Sequence, residues 1–543
     1  MNLVIKAPIT EHNLTPQQEL DKKSKAHELL PTAISNFLKN NWALLIISSL
    51  VYIGRVLTAP EFVESRDGLF FLRALDRYSV AELRPHWPGY PFYIWIGKLF
   101  SLVYHDHIQA LHLVSILAST LSTWPIAGLT GMGYAFLKPG HPNLARRAGL
   151  AAALVWSLTP LSWLGGSEIF SDPLGLLMAL VMLWICCRSL ENRSRAGLYL
   201  PLAAIISGLM LGTRLSYLAL LLPLAYATWL NREQPLFNRS SRRFGLPLLV
   251  IGCFGMAIAV WLGWQFQMEG WSFLEAGDRH LVGHYTEWGG SVTTDKNVLT
   301  RPVRMFETLG VYGLGGWWPG IDLIRLPATL LLLVLAGTGS YRLVHGKSRQ
   351  PLIIGLLWAG PYFLWILLGN DVDLVRYDFP LVALICVLAG LGLPEQKKLA
   401  GGVMVTVCLS MALITIPQAV EHRNNPPIGE KLVKYVNTNP LTGKKVYIVD
   451  DATSLLGFFL EDEAPGVYSR RITDDKLEQE TAKLEGAGWN LYLTALPGQA
   501  PPGWFPVIRL CRGQFMESRG PLEVWVYRHG ENKNGGAILG QCQ

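Results

Sequence analysis

Glu64, Asp67, Glu168 and Asp172 supply carboxylates, and Arg214 and Arg376 supply guanidinium groups, at the ends of apolar runs. A carboxylate can take a proton from a hydroxyl or help hold a divalent cation. An arginine can grip a phosphate through paired charge-assisted hydrogen bonds. Ionisable groups at membrane depth cost about 2.5–3.5 kcal/mol each on insertion scales, so they are functional candidates by default. The competing reading is a structural network of ion pairs joining helix ends. Glu64 and Asp67 are three residues apart in ESRD and would share a helix face. Asp67 taken alone also reads as a helix N-cap or a solvated charge. Glu168 and Asp172, four apart in GSEIFSDP, would point together on a helix running through both. Arg214 lies in GTRLSY, and Arg376 and Tyr377 lie together in NDVDLVRYDFP.

The stretch HWPGYPFYIWIGK (86–98) is the most distinctive in the chain. Pro88 and Pro91 bracket Gly89 and Tyr90 and force a tight, rigid entry into the next apolar run. His86, Trp87 and Tyr90 would then line a cavity or form an interfacial aromatic belt. Lys98, placed inside an apolar run, needs a partner, a water-filled cavity or a snorkelling route to the interface. His280 and His284 have the i, i+4 spacing of a helical metal pair. No third ligand is defined beside them, and surface or substrate-contacting histidines fit the pattern as well. His105 and His107 flank Asp106 in a short polar turn.

These groups must be positioned by membrane helices. Of 543 residues, 16% are charged and 50% hydrophobic, and aromatics are 11%. Soluble globular chains carry about 25% charge. A wholly soluble enzyme and a disordered chain are both excluded by that balance. The formal net charge of +7 suits Lys/Arg-rich cytoplasmic loops rather than nucleic acid. Residues 1–42 read as a Lys-rich cytoplasmic tail, and 43–417 as a membrane domain of about thirteen transmembrane helices. The candidate spans are 43–60, 89–104, 108–121, 122–137, 147–164, 171–189, 198–212, 214–230, 246–268, 322–343, 351–369, 379–394 and 399–417. The pairs 108–137 and 198–230 are split because that places every basic loop on the cytoplasmic side. Outer loops at 61–88 and 269–321 then face the other side, the first as an amphipathic helix in the membrane interface. All the acids and arginines above fall on that same outer side.

Residues 418–543 read as a soluble, extracytoplasmic α/β domain. KVYIVD, VYSRRI, NLYLTAL and LEVWVYRH are strands, and DATSLLGFFLE and DDKLEQETAKLEGAG are capped helices. No Gly-rich phosphate loop occurs in it. Five of the seven cysteines lie in apolar runs and suit buried packing. Cys511 and Cys542 could form a disulfide if this part is outside the cytoplasm.

Together these features resemble the GT-C superfamily of membrane glycosyltransferases, in particular aminoarabinose transferases and protein O-mannosyltransferases. His86-Trp87-Pro88-Gly89-Tyr90-Pro91 is similar to an H-P-P-G-Y-P motif of one O-mannosyltransferase-like branch, with Trp87 in place of the first proline. The following GKLFSL and the 108–121 helix also resemble that branch. The resemblance implies transfer of a sugar from a polyprenyl-phosphate carrier to a glycolipid, glycan or protein hydroxyl on the extracytoplasmic face. It implies Asp67 as the base, with Glu64 second. It implies Arg376 and Tyr377, then Arg214 and Lys98, on the donor phosphate. Glu168 or Asp172, with His280 and His284, would support the acceptor or a Mg, Mn or Zn ion, while ESRD is a looser spacing than the superfamily's D-D and D-x-D forms. The expected setting is a bacterial inner membrane, with membrane lipids around the spans and the C-terminal domain periplasmic. A multi-span transporter or flippase for lipid-linked substrates is the alternative. It would show internal repeats or ionisable residues near the midplane, and no clear repeat is present.

Overall fold

The computed structural model describes residues 41–234, 244–287, 290–438, 446–450, 467–470, 474–496, 499, 501–511 and 523–530. The tail up to residue 40, the DATSLLGFFLE helix and Cys542 lie outside them.

The long apolar runs are helices. α1 (Asn41–Thr58) is followed by α2 (Arg66–Asp76) and α3 (Pro91–Ser101). α4 (His107–Leu121) and α5 (Thr123–Leu137) run end to end. α6 (Pro142–Leu158), α7 (Asp172–Glu191), α8 (Ala196–Leu211), α9 (Leu222–Leu230) and α10 (Gly245–Glu269) come next. α11 (Ser272–Val282) and α12 (Arg301–Glu307) occupy the second long loop. α13 (Leu326–His345), α14 (Gln350–Gly369), α15 (Phe379–Leu391), α16 (Lys397–Asn424) and α17 (Ile428–Thr438) complete this part. Proline fills the first turn of α3, α6, α7, α13, α14 and α15, where a missing N–H leaves no bond unmade. Close helix crossings use small residues. A Cβ on Gly339 would lie 2.0 Å from the Leu388 carbonyl oxygen, and one on Gly392 1.9 Å from that of Leu335, so α13 and α15 meet backbone to backbone.

Eight segments among the described residues are long and apolar enough to cross a membrane, and Leu215–Leu230 is a shorter apolar one. Leu248, Ile251, Leu333, Val334, Leu409 and Leu413 expose their side chains from such segments, as lipid-facing residues do. The chain is a polytopic, mainly α integral membrane protein.

Two expected spans are revised. Helical hydrogen bonds continue through Ser122: its N–H donates to the Ala118 carbonyl at 3.0 Å, and the Ile126 N–H to the Ser122 carbonyl at 3.2 Å. His107–Leu137 is therefore one span, not two. The 89–104 run yields the 11-residue α3, too short to cross. The start of α4 lies beside the 61–88 loop, with His107 Nε2 3.2 Å from Asp76 Oδ1. The His105–His107 turn is thus at the same end as that loop, not opposite it. Removing two crossings leaves every later loop at its expected end. At the far end, Lys138 pairs with Glu395, Arg147 Nη1 donates to the Glu395 carbonyl at 3.0 Å, and Arg342 Nη1 donates to the Leu393 carbonyl at 2.9 Å. The pair 198–230 does break, at Arg214, as expected.

α2 does not present its apolar face to a membrane interface. Phe70, Phe71 and Leu75 are 2%, 1% and 6% exposed. Phe71 packs edge-on against Tyr90 and Tyr93, at 5.0 and 4.9 Å between ring centroids.

The C-terminal part holds β1 (Val446–Asp450), β2 (Val467–Arg470), α18 (Asp474–Gly486), β3 (Asn490–Ala495), β4 (Trp504–Cys511) and β5 (Glu523–His529). The sheet order is β2-β1-β3-β5-β4. β1 is parallel to β2 and β3, and β5 runs antiparallel between β3 and β4. The α/β character matches expectation. β4 was not foreseen: Pro506 sits at an irregularity in its pairing, and a proline weakens a strand signal. Cys511 is disulfide-bonded, while Cys186, Cys187, Cys253, Cys386 and Cys408 are free.

Candidate active site

Ser65 starts α2 by accepting the Gly68 N–H on its Oγ at 3.1 Å. Asp67 follows in the first turn, where the helix dipole favours negative charge. Its Oδ2 lies 2.7 Å from Arg376 Nη1, and its Oδ1 lies 3.9 Å from His86 Nδ1. Burial would raise the Asp67 carboxyl. Arg376, then His86, Arg66 and Arg214, outweigh burial and hold it well below the usual carboxylate range. Asp67 is therefore ionised at neutral pH.

Arg376 comes from the turn Val375–Asp378 that leads into α15. Its guanidinium lies 5.0 Å from the Phe170 ring and 5.6 Å from the Tyr377 ring. Arg214 lies 5.1 Å from the same Tyr377 ring, so this tyrosine touches two cations. Arg214 Nε pairs with Asp172 Oδ1 at 3.1 Å, both side chains being almost wholly enclosed. The Tyr362 hydroxyl donates to the Tyr377 carbonyl at 2.9 Å and anchors the turn from α14. Residues far apart in sequence thus meet at one end of the bundle: Asp67, Arg376, Tyr377, Arg214 and Asp172.

The other acids take different partners. α2 begins after Glu64 and α7 begins after Glu168, so neither expected shared helix face forms. Glu64 Oε1 lies 3.8 Å from His112 Nε2 and 3.9 Å from His422 Nε2. Glu168 Oε1 lies 3.5 Å from the same His422 nitrogen. Burial first, then repulsion from Glu168, push the Glu64 carboxyl well above its ordinary range. His112 and His422 were missed in the sequence because a single histidine in an apolar run looks like a core residue. Arg55 was missed too, although an arginine inside a span is a strong signal. It donates to the Ser119 hydroxyl at 2.7 Å and to the Ser162 hydroxyl at 2.5 Å, tying α1 to the helices behind the site.

The 86–91 segment closes one side. The His86 Nε2 and the Tyr90 hydroxyl are 2.9 Å apart. His280 of α11 stacks on His86 and on Trp87, at 5.9 and 5.6 Å between centroids. Gln265 Nε2 of α10 donates to the Pro88 carbonyl and to the Tyr78 hydroxyl, each at 2.7 Å. Gly89 has φ +89°, and a Cβ there would lie 2.2 Å from both the Gln265 amide nitrogen and the Tyr78 hydroxyl. Gly89→Ala is expected to cost about 1–3 kcal/mol from backbone strain alone, and more from the clash. A lowered melting temperature of the purified variant in detergent checks this.

One expected site residue lies elsewhere, and one expected metal pair does not form. Lys98 is exposed on α3 and lines a separate polar pocket with Asp76, Arg77 and Glu269, away from the two arginines. His280 and His284 do not form a metal pair. Their rings are parallel at 6.5 Å, and His284 Nε2 lies 2.7 Å from the Gly369 carbonyl oxygen. Among the described residues no group of three or more His, Cys, Asp or Glu side chains is arranged to hold a metal ion.

Beside Arg376 and Glu168 opens a mostly apolar cavity lined by Leu161, Leu164, Phe170, Leu374 and Val375.

Residues 79–236 match the family described as protein O-mannosyl-transferase TMEM260 N-terminal domain. The structure of ArnT from Cupriavidus metallidurans bound to undecaprenyl phosphate is similar over 91% of this chain and 99% of that one, with 12% identity and a TM-score of 0.51. The apo structure of the same protein is similar over 90% and 98%, with 12% identity and a TM-score of 0.52. No curated protein matches the sequence. The chain shares the fold of these structures. The family match covers the His86–Pro91 segment, Glu168, Asp172 and Arg214, and leaves Asp67 and Arg376 on either side of it. The fold places the expected acids and arginines at one end of the bundle, and two of the acids are ion-paired with the two arginines. The ion-pair reading and the active-site reading of these residues therefore describe the same cluster.

Proposed function

We propose that the enzyme moves a sugar from a polyprenyl-phosphate carrier to an acceptor hydroxyl. The reading is supported chiefly by one juxtaposition: an ionised Asp67 paired with Arg376, Arg214 on the same Tyr377 ring, and an apolar cavity that Arg376 lines. A phosphate head bound by the arginines would leave its isoprenoid chain in that cavity. ArnT, the neighbour with the same fold, was solved with undecaprenyl phosphate. The acceptor oxygen attacks the anomeric carbon while the bond from that carbon to the phosphate oxygen breaks. Its electron pair stays on the phosphate, where the two guanidinium groups stabilise the growing charge. Asp67 takes the hydroxyl proton. Arg376 serves both partners. As the donor phosphate draws Arg376 toward itself, the hold on Asp67 relaxes and its basicity rises.

A divalent cation does not fit this cluster well. Asp67 and Asp172 are each compensated by an arginine, and Glu64 and Glu168 face histidines. The arginines supply the positive charge that the leaving phosphate needs. Glu168, with its neighbour His422, is assigned to the acceptor side, and His86, Trp87 and Tyr90 to the cavity wall. The site end is assigned to the extracytoplasmic face of a bacterial inner membrane. Residues 1–42 then form a cytoplasmic tail, 43–417 the catalytic membrane domain and 418–543 a periplasmic domain. Acceptors in this reading are glycolipid, glycan or protein hydroxyls.

Thermal stability of the detergent-purified protein tests the donor assignment. Undecaprenyl phosphate is expected to raise the melting temperature of the wild type and not that of Arg376→Ala. Undecaprenol lacks the charged head and is expected to do little to either. Equal stabilisation by alcohol and phosphate would contradict the arginine assignment.

A further inference from the structure

The turn that carries Arg376 follows directly from the C-terminal end of α14, and the last four carbonyls of a helix have no partner within it. In α14 all four are met by one stretch of the second long loop. The Leu367 carbonyl accepts from Arg301 Nε at 2.9 Å, and the Leu368 carbonyl from the Val292 N–H at 2.9 Å. His284 Nε2 lies 2.7 Å from the Gly369 carbonyl oxygen, and Arg301 Nη2 donates to the Asn370 carbonyl at 2.6 Å. We propose that Arg301 is a positioning residue of the donor site: by closing this helix end it sets where Arg376 meets the carrier phosphate. The inference rests on Arg376 being the residue that holds that phosphate.

Arg301 opens α12, and its side chain is 2% exposed. Besides the two carbonyls of α14, it donates from Nη2 to the Gly290 carbonyl at 3.1 Å and from Nη1 to Asp295 Oδ2 at 2.7 Å. Every nitrogen of its donor fork is thus engaged by the protein. Arg301 has no face to offer a phosphate and acts only through what it holds. Its positive charge also suits the negative end of the α14 dipole. Arg304 extends the clasp into the turn itself: it shares Asp295 with Arg301, and its Nη1 meets Asp373 Oδ2 at 2.5 Å. Asp371 Oδ1 accepts the Asp373 N–H at 3.1 Å. Gly290, at φ +106°, brings the loop backbone against Asp371, since a Cβ there would lie 3.3 Å from the Asp371 Cβ. Beyond Arg376, the Tyr362 hydroxyl holds the turn at the Tyr377 carbonyl. Arg376 therefore sits between two anchors, and the loop supplies the first. Without Arg301, the Leu367 and Asn370 carbonyls lose their donor and Asp295 loses a cation, so the turn is free to shift.

The test is the affinity of the full-length, detergent-purified protein for undecaprenyl phosphate, measured in a double-mutant cycle of Arg301→Ala and Arg376→Ala. Arg301→Ala is expected to weaken binding about tenfold, the low end of what losing one charge-assisted hydrogen bond to the phosphate would cost. In the Arg376→Ala background the same change is expected to weaken binding no further, because the group that Arg301 positions is gone. A side chain that only stabilised the fold would weaken both proteins equally. An additive cycle therefore overturns the role, and so does wild-type affinity in Arg301→Ala. Arg304→Ala is the milder lesion, since that side chain is 28% exposed. It is expected to repeat the non-additive pattern with a smaller loss, and it carries the same test if Arg301→Ala does not fold. A wild-type protein that does not bind undecaprenyl phosphate overturns the donor reading and this role with it. Wild-type binding with an additive cycle overturns the positioning role alone.

Discussion

Asp67→Asn is expected to bind donor and to transfer sugar about 10²–10⁴-fold more slowly than the wild type, the range that a positioned proton-transfer group contributes. Asparagine has the shape of aspartate, and its carbonyl oxygen can still accept from Arg376 Nη1, now 2.7 Å from the carboxylate. The turn that starts α2 depends on Ser65 and the Gly68 N–H, and not on this side chain. The local geometry therefore survives while the proton acceptor is lost. Glu64 cannot substitute. It precedes α2, faces His112 and His422, and burial and Glu168 push its carboxyl upward. Glu64→Gln is expected to be much milder than Asp67→Asn, and relative rates under saturating donor compare them directly.

Arg376→Ala is expected to affect donor binding, stability and pH dependence together. A hydrogen bond to a charged group is worth about 1.5–3 kcal/mol, so donor affinity should fall about ten- to hundredfold. The variant also leaves Asp67 enclosed with its strongest partner gone. Breaking a buried ion pair from one side costs about 3–5 kcal/mol, and the small residual exposure of this pair places the effect at or below the low end. Burial raises the Asp67 carboxyl, and Arg376 is the largest of the groups that lower it. Without the arginine the carboxyl titrates at higher pH, so the acidic limb of the pH–rate profile moves upward. Arg376→Lys is expected to keep more of the charge effect but to lose the planar contact with Phe170 and Tyr377. An unmoved acidic limb in Arg376→Ala would show that Asp67 does not set it.

The membrane character and the clustering of acids and arginines were legible because each of those residues sits at the end of an apolar run. Which acid pairs with which arginine was not legible. Asp67 and Arg376 are separated by most of the membrane domain, and only the packed bundle brings them together. The 89–104 run misled because hydropathy cannot tell a short helix buried against protein from one facing lipid. α3 packs against α2 and α4, and Tyr93 and Ile94 are fully buried there. The break read near residue 122 came from the charge rule, which needed an extra crossing once the 89–104 run was counted as one. The Ser119, Ser122 and Thr123 hydroxyls donate to the Ile116, Ala118 and Thr120 carbonyls. Lys98 was misassigned for the same reason as the span that carried it. His422 and His112 became visible only as the partners of Glu64 and Glu168, since no local pattern marks a histidine whose role is set by two distant acids.

Sugar transfer by the detergent-purified protein, read as a mass shift of the acceptor, tests the central claim most directly. Wild type, Asp67→Asn and Arg376→Ala would be supplied with polyprenyl-phosphate sugars and a lipid extract, with donor binding measured on the same samples. The expected result is transfer by the wild type, donor binding without transfer by Asp67→Asn, and weakened donor binding by Arg376→Ala. Near-normal turnover by a folded Asp67→Asn protein would contradict the assignment of Asp67 as the base.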